Sequence, residues 1–206
     1  MVNTKSPVLL SFLSATALLL AGPRALADVP AGSAAPVAEA TAAALADAHF
    51  ARAKELVKQG KSPEARVEYQ AALEARKSYQ AAGNLGSLEV ALGFYRDAAE
   101  HLSFAVEHAA PSGTTPAQLE KAKLRLRDAK KHVAEVKIGV KVAGAEVLVD
   151  SLSVGAAPLE DSVFLEPGSH VIEVSCAGLE TVKLRVDVAA DSSTTVALDP
   201  VAVAPR

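Results

Sequence analysis

The sequence is poor in aromatic residues and in cysteine. It has no Trp, and aromatic residues make up only 4% of its 206 residues. With few aromatic rings and a formal net charge of −3, it lacks the stacking surfaces and the basic stripe by which proteins bind nucleic acid. A single Cys closes no intramolecular disulfide and builds no Cys-based zinc site. Nucleic-acid binding and a thiolate metal centre are therefore excluded from the predicted functions.

Motifs for catalysis are also missing. The five His form no HExxH or similar metal-binding doublet, and no GxSxG, GxxxxGK[ST] or GxGxxG occurs. We expect His49, His101, His108 and His132 to be solvated surface residues, and His170 to have a structural use. Cys176 is interpreted as a buried, inert thiol, with an intermolecular disulfide as the alternative. We predict no catalytic, metal-binding or cofactor-binding residue, and hence no enzyme.

The N-terminal residues have the pattern of an export signal. Residues 1–27 contain Lys5, an apolar run from Pro7 to Ala21 and then Ala25-Leu26-Ala27, which predicts a signal peptide cleaved before Asp28. An uncleaved anchor is the alternative, but the run of roughly 15 residues falls short of the ~20 needed to span a bilayer. We therefore expect a periplasmic, secreted or cell-surface protein without a transmembrane span after cleavage. Residues 28–44 are rich in Ala and Pro, which predicts a flexible spacer.

Residues 45–136 have the apolar periodicity of helices. The predicted helices span 45–59, 63–77, 79–92, 95–109 and 116–135. Ser62 before Pro63 indicates an N-cap with Pro at the first helical position. Thr115 before Pro116 does the same, and Gln118 completes a capping box.

An internal repeat runs through this helical segment. Its clearest copy comprises Asn84-Leu85-Gly86, Gly93, Tyr95, Ala98, Leu102 and Ala105, and a weaker copy comprises Gly60, Ala65, Tyr69 and Ala72. The spacing resembles a pair of tetratricopeptide units followed by a solvating helix. The residues leave an unrelated array of helical hairpins open as the alternative.

The tetratricopeptide resemblance implies a groove formed by the first helix of each unit. By the family's positions, the groove would present Phe50, Lys54, Lys58, Ser87 and Val90 to a protein partner. Ser87 stands where members that clamp a C-terminal carboxylate carry Asn, so we do not expect recognition of a carboxylate tail. Phe50 has packing in the core as its alternative role.

After Val136 the side-chain period changes to two. Four aliphatic residues, Val136, Ile138, Val140 and Val142, are separated by Lys137, Gly139 and Lys141. This alternation is typical of a strand with one buried face. Similar runs follow at 146–150, 162–165, 171–176, 181–189 and 194–198, separated by turn residues. Six short strands predict a small antiparallel β-sandwich over 137–200, followed by a tail at 201–206.

The turns between these strands resemble those of the PEGA domain, a β-sandwich module of bacterial envelope and surface proteins. The matching residues are Gly144-Ala145, Val147-Leu148-Val149-Asp150, Val154-Gly155, Ala157-Pro158-Leu159, Leu165-Glu166-Pro167-Gly168, His170, Val174 and Gly178-Leu179. Val142-Ala143 replaces the Pro-Glu that names the family. Ser151 replaces Gly after Asp150, which weakens the expectation of a tight type I′ turn. The resemblance implies attachment or assembly rather than catalysis.

Together these patterns predict an α+β protein of two domains, helical repeats followed by a β-sandwich. The predicted function is that of an exported, non-enzymatic binding or scaffold protein of the bacterial cell envelope, with a protein partner and no cofactor. A cell-wall or surface-glycan-binding module is the alternative. It is the weaker prediction because glycan sites usually display aromatic rings, and Phe164 is the only aromatic residue after Phe104.

Overall fold

A computed structural model describes residues 34–109 and 113–202. In them, five helices precede a β-rich region, which confirms the predicted α+β layout. The helices are α1 (Ala34–Lys58), α2 (Ser62–Ala75), α3 (Tyr79–Leu92), α4 (Tyr95–Glu107) and α5 (Pro116–Lys130). Among the described helices, none combines the length and hydropathy needed to cross a membrane. The predicted signal peptide at 1–27 lies outside the described residues.

Helix α1 starts much earlier than predicted. Residues 34–44, expected to belong to a flexible spacer, are helical. Alanine has the highest helix propensity, and Pro36 lies in the first turn, where its missing N–H breaks no helical hydrogen bond. The spacer prediction was therefore wrong from residue 34 onward, while 28–33 lie outside the described residues.

The ends of the other helices follow local capping chemistry. The predicted capping box of α5 is confirmed: the Gln118 N–H donates to Thr115 Oγ1 at 3.2 Å, and the Thr115 N–H donates to Gln118 Oε1 at 2.9 Å. At α2 we predicted Ser62 as the N-cap, and this was wrong. Lys61 occupies the N-cap position and makes no side-chain capping bond. Helix α5 ends at Lys130, five residues before its predicted end, because the chain turns there and enters a strand at Ala134.

The helices approach closely because their contact surfaces are small. Their buried apolar side chains are mostly alanine. Where α3 crosses α4, a Cβ added to Gly86 would stand 2.6 Å from Leu102 Cγ and 3.1 Å from the Ala98 carbonyl oxygen. Only glycine fits at this crossing.

The β-rich region contains nine strands within residues 134–202. They are β1 (Ala134–Gly139), β2 (Glu146–Val149), β3 (Leu152–Ala156), β4 (Val163–Leu165), β5 (Gly168–Ser175), β6 (Leu179–Glu180), β7 (Val182–Val188), β8 (Ser192–Ala197) and β9 (Val201–Ala202). The strand orders are β4-β1-β8, β3-β2-β5-β7 and β6-β9. Aliphatic side chains from the first two sheets form a single core, as in a sandwich.

Three details of the predicted sandwich were wrong. Strands β3, β6 and β9 were not predicted, and β9 takes the first two residues of the predicted tail, whose remainder lies outside the described residues. Strands β1 and β8 pair in parallel, Val136 opposite Thr194, whereas we expected only antiparallel pairs. The strands between them supply the long crossover that a parallel pair requires.

The two-residue turn between β2 and β3 also differs from expectation. Asp150 and Ser151 have φ of 49° and 69°, the positive values that a type I′ turn requires at both positions. The Asp150 carboxylate accepts the Val171 N–H at 2.9 Å and a bond from His170 at 2.6 Å. These bonds hold the turn without glycine.

Phe164 joins the two regions of the molecule. Alternate residues of β4 face different cores, because Leu165 packs in the sandwich while Phe164, 1% exposed, packs against α3, α4 and α5. Lys130 Nζ lies 5.3 Å from the centre of the Phe164 ring and 2.9 Å from a Glu135 carboxylate oxygen. The β-rich region thus packs on the helices through Phe164.

Candidate partner-binding groove

A groove crosses the helical region from α1, over α3, to the start of α5. Its α1 end has a volume of about 400 Å³ and its α5 end about 260 Å³. Both ends are lined by Gln80, Asn84, Gly113 and Gln118, so the two volumes form one continuous surface.

The α1 end combines an aromatic ring with charged groups. Phe50 contacts Tyr69 edge to face at a centroid distance of 5.6 Å, and Lys54 Nζ lies 5.7 Å from the centre of the Phe50 ring. Arg76 and Asp47 form an ion pair at 3.0 Å. Because that pair neutralises itself, Lys54 is the net charge at this end.

The middle of the groove is polar and uncharged. The Asn84 amide donates to the Gln80 carbonyl oxygen at 2.9 Å, and the Gln80 amide donates to the Tyr79 hydroxyl at 3.1 Å. At the α5 end, Thr114 Oγ1 is buried and has no hydrogen-bond partner among the described residues. Carboxamides and hydroxyls both donate and accept, so this part can pair with the backbone of an extended peptide.

Three of the five residues predicted to contact a partner line this groove. Phe50 and Lys54 line its α1 end, and Ser87 lines its α5 end, where its hydroxyl donates to the Gly83 carbonyl at 2.7 Å. Lys58 lies outside the groove lining and pairs with Glu55 at 3.2 Å. Val90 is 8% exposed and packs between α3, α4 and α5, so it belongs to the core.

A buried charge network behind this surface was not predicted. Glu89 is fully buried on α3, where its carboxylate accepts Arg66 Nε–H at 3.0 Å and bonds His101 Nδ1 at 2.6 Å. Arg66 also donates to Asp97 at 2.7 Å and stacks over Phe94 at 4.3 Å. The signal was present in the sequence, because Glu89 is the single charged residue of an otherwise neutral helix.

We expected four of the histidines to be solvated surface residues, but each of them contacts another side chain or the backbone. His49 pairs with Glu68 at 2.7 Å, in addition to the His101 bond to Glu89. His132 stacks on Tyr95 at 3.7 Å and His108 on Phe104 at 4.2 Å. The structural use predicted for His170 is supported by its bonds to Asp150 and to the Glu166 carbonyl, at 2.6 and 2.8 Å. Over 34–109 and 113–202, no group of three or more His, Cys, Asp and Glu side chains is arranged to hold a metal ion.

The His170 pair shifts two pKa values in opposite directions. The Val171 N–H, followed by His170, lowers the pKa of Asp150. Burial acts to lower the pKa of His170, but the Asp150 carboxylate and the Glu166 carbonyl outweigh burial and raise it. Both shifts favour the charged pair, which therefore ties the β2–β3 turn to β5.

A comparison with known protein families finds a match, and it covers the β-rich region. Residues 133–201 match the model of the PEGA domain, which confirms that resemblance over a slightly longer segment than predicted. PEGA domains are associated with extracellular and periplasmic proteins. The tetratricopeptide resemblance of the helices is supported by no family match and stays a prediction. A search of curated proteins finds no match.

Proposed function

We propose that this protein is an exported, non-enzymatic binding or scaffold protein of the bacterial cell envelope. Its helical groove engages a protein partner, and its β-rich region docks on envelope material or on the same partner. The observation that carries the proposal is the groove itself, with the Phe50 ring and the Lys54 cation at one end and the carboxamides of Gln80 and Asn84 in its middle.

The chemistry of the groove suits an extended peptide better than a small metabolite. The surface is open and runs across three helices, so a linear segment can follow it. An apolar side chain of the partner would lie against Phe50 and an acidic group near Lys54 at the α1 end, and the backbone that continues toward α5 would lie against Asn84 and Gln80. Apolar anchors and backbone pairing are the usual sources of affinity and register in peptide recognition.

The β-rich region supports docking on protein more than docking on glycan. Its single aromatic residue, Phe164, is 1% exposed and serves the junction between the two regions. No aromatic ring of the described β-rich region is therefore available to stack on a sugar. The match to the PEGA domain agrees with an envelope or surface location.

Export is part of the proposal and has its own test. Residues 1–27 have the composition of a signal peptide, with small residues before Asp28. The mature protein isolated from its producing cells should begin at Asp28 when its N-terminus is sequenced. Recovery of a chain that still begins at Met1, from the cytoplasm, would contradict export.

Partner binding is tested with a groove variant and a matched surface variant. The full chain, the double variant Phe50→Ala/Lys54→Glu and the control Val67→Ala are each immobilised and exposed to envelope extract. Val67 is 63% exposed on α2 and does not line the groove. A protein partner captured by the wild type and by the control, but reduced at least about tenfold by the groove variant, is expected, because a central anchor contributes more than about 1.4 kcal/mol.

A parallel arm uses purified cell wall. Equal retention of all three proteins on cell wall, with no protein captured from the extract, would contradict the proposal and favour the glycan-binding alternative. Loss of capture by the control as well as by the groove variant would also contradict it, because the groove would then have no special part.

A further inference from the structure

Helix α5 is strongly basic on a protein that is acidic as a whole. The cations of the helix and the residue after it are Lys121, Lys123, Arg125, Arg127, Lys130 and Lys131. The acids of the same segment are Glu120 and Asp128, which pair with Lys123 at 2.9 Å and with Lys131 at 3.4 Å. Arg125 and Arg127 are exposed and have no carboxylate partner among the described residues. Helix α5 thus carries uncompensated positive charge while the whole chain carries −3.

The outer face of α5 is also partly apolar. Leu124 is 58% exposed, and it borders a depression of about 320 Å³ together with Arg125, Arg127 and Lys131. The opposite face of the helix packs into the core through Ala122, Leu126 and Ala129. We call the exposed surface around Leu124, Arg125 and Arg127 the basic face.

A cleft of opposite charge lies where the helical and β-rich regions meet. It has a volume of about 420 Å³ and lies between α4, β3 and the loop before β4. Its carboxylates are Glu100, Glu160 and Asp161, and the cation that lines it, Arg96, bonds Asp97 at 3.0 Å. Leu152, 66% exposed, lines the cleft. We call this surface the acidic cleft.

The surroundings of the acidic cleft disfavour negative charge on two carboxylates. Burial raises the pKa of Glu100, which lines the cleft, although Arg96 acts in the opposite direction. Glu107 lies outside the cleft lining, and burial, followed by a hydrogen bond to Asp161 of the cleft, raises its pKa. A cation added to the cleft would favour the charged form of these carboxylates.

We propose that the basic face of one copy of this protein docks in the acidic cleft of a second copy. The two surfaces are complementary, because each offers one exposed leucine beside charges of opposite sign. They are different surfaces, so the contact is heterologous and leads head to tail into rings or open chains. Such assembly lies beyond partner binding in the groove, and Arg125 and Arg127 do not line the groove.

Two charge-reversal variants test the contact by sedimentation velocity of the full chain at low ionic strength. Arg125→Glu/Arg127→Glu destroys the basic face, and Glu160→Lys/Asp161→Lys destroys the acidic cleft. The wild type should associate in a concentration-dependent manner, and the association should weaken at least about tenfold on adding salt, since exposed charges are screened beyond ~10 Å at 0.1 M. Each variant alone should be monomeric.

Mixing the two variants gives the sharpest result. The two variants together restore charge complementarity, so the mixture should associate although neither variant does so alone. The control Lys137→Glu/Arg185→Glu reverses two exposed cations elsewhere and should associate like the wild type. A monomeric wild type, association unchanged in either variant, or a mixture that stays monomeric would each overturn the proposal. Circular dichroism of every variant verifies that it is folded.

Discussion

The two regions of this molecule are stabilised by different kinds of core. In the helical region, the buried apolar residues are mostly alanine, and a fully buried carboxylate, Glu89, joins three helices through Arg66 and His101. In the β-rich region, the core consists of Val, Ile, Leu and Ala, and no charged residue of its described part is buried. Helix positions are therefore set by small residues and polar pairs, while strand positions are set by side-chain volume. The groove is built on the first kind of core.

Because their cores differ, the two regions should be destabilised by opposite kinds of substitution. Where backbones approach as closely as at Gly86, adding one methyl group is costly, and removing a buried charge leaves its partners unsatisfied. Where larger aliphatic side chains interdigitate, removing methylene groups is costly instead. Four predictions test this contrast.

The largest expected effect is that of Glu89→Ala. Removing the carboxylate leaves Arg66 and His101 without their shared partner, which costs about 3–5 kcal/mol of unfolding free energy for a buried pair. All three Tyr lie in the helical region, so tyrosine fluorescence during urea unfolding reports on it selectively. The exposed Glu74→Ala is the matched control, with an expected change below about 0.5 kcal/mol. Equal effects of the two substitutions would show that the network does not stabilise the helices.

The next largest loss of stability should come from a substitution in the core of the β-rich region. Ile172→Ala removes a fully buried side chain of β5 and should lower the unfolding free energy by about 2–5 kcal/mol. The control Leu152→Ala, at a position 66% exposed, should change it by less than about 0.5 kcal/mol. Urea unfolding followed by circular dichroism measures both. If Ile172→Ala were neutral, the sandwich core would not depend on volume.

Two glycines of α3 distinguish the effect of steric crowding from that of helix propensity. Gly86→Ala forces a methyl group into Leu102 and should destabilise by about 1–3 kcal/mol. At Gly83 an added Cβ would meet Ala105 Cβ at an ordinary 3.5 Å, so Gly83→Ala should be neutral or stabilise by up to about 1 kcal/mol through helix propensity. Thermal unfolding compares the two variants. A stabilising Gly86→Ala would contradict the close crossing of α3 and α4.

The smallest effect is the pH dependence from His170 and Asp150. Because the folded pKa of His170 is raised, its contribution is complete below the unfolded value of about 6.5 and is lost as pH rises through the folded value. The Asp150 pKa is lowered, so its contribution is present above about 3.9 and is lost as pH falls through the folded value. Asp150 is half exposed, so the pair should contribute less than about 1 kcal/mol.

Asp150→Asn measures this contribution, because the amide oxygen can still accept the Val171 N–H. Stability of the wild type relative to this variant should fall from pH of about 5.5 to about 8.5, on either side of the ordinary histidine pKa. A difference that is constant over this range would show that the His170 pair does not contribute.

Local patterns predicted most of the fold. Helical periodicity and the capping box at Thr115 placed α2 to α5, and turn residues placed the strands of the PEGA match. Strand β3 was missed because Gly155 and a register shift opposite Val147 and Leu148 interrupt its alternation. The parallel pairing of β1 with β8 joins strands more than 50 residues apart, and no local pattern reports such a contact.

The same limit applies to the groove. Phe50, Lys54 and Ser87, chosen from the predicted repeat positions, line the groove, and their contact with a partner stays a prediction. The single charge of Glu89 in an otherwise neutral helix is a signal in the sequence, but its partners Arg66 and His101 come from two other helices, so the network itself could not be predicted. Val90 was predicted at the groove surface, but the junction with the β-rich region covers it, a contact that the helical pattern alone does not encode.

Site-specific photo-crosslinking determines whether a protein partner occupies the groove. A photoreactive phenylalanine analogue replaces Phe50 in the groove in one variant, which keeps the aromatic ring, and Val67 on the outer face of α2 in another, and each protein is irradiated in producing cells. We expect one discrete envelope protein crosslinked at position 50 and absent at position 67. No adduct at position 50, or the same adducts at both positions, would contradict the claim.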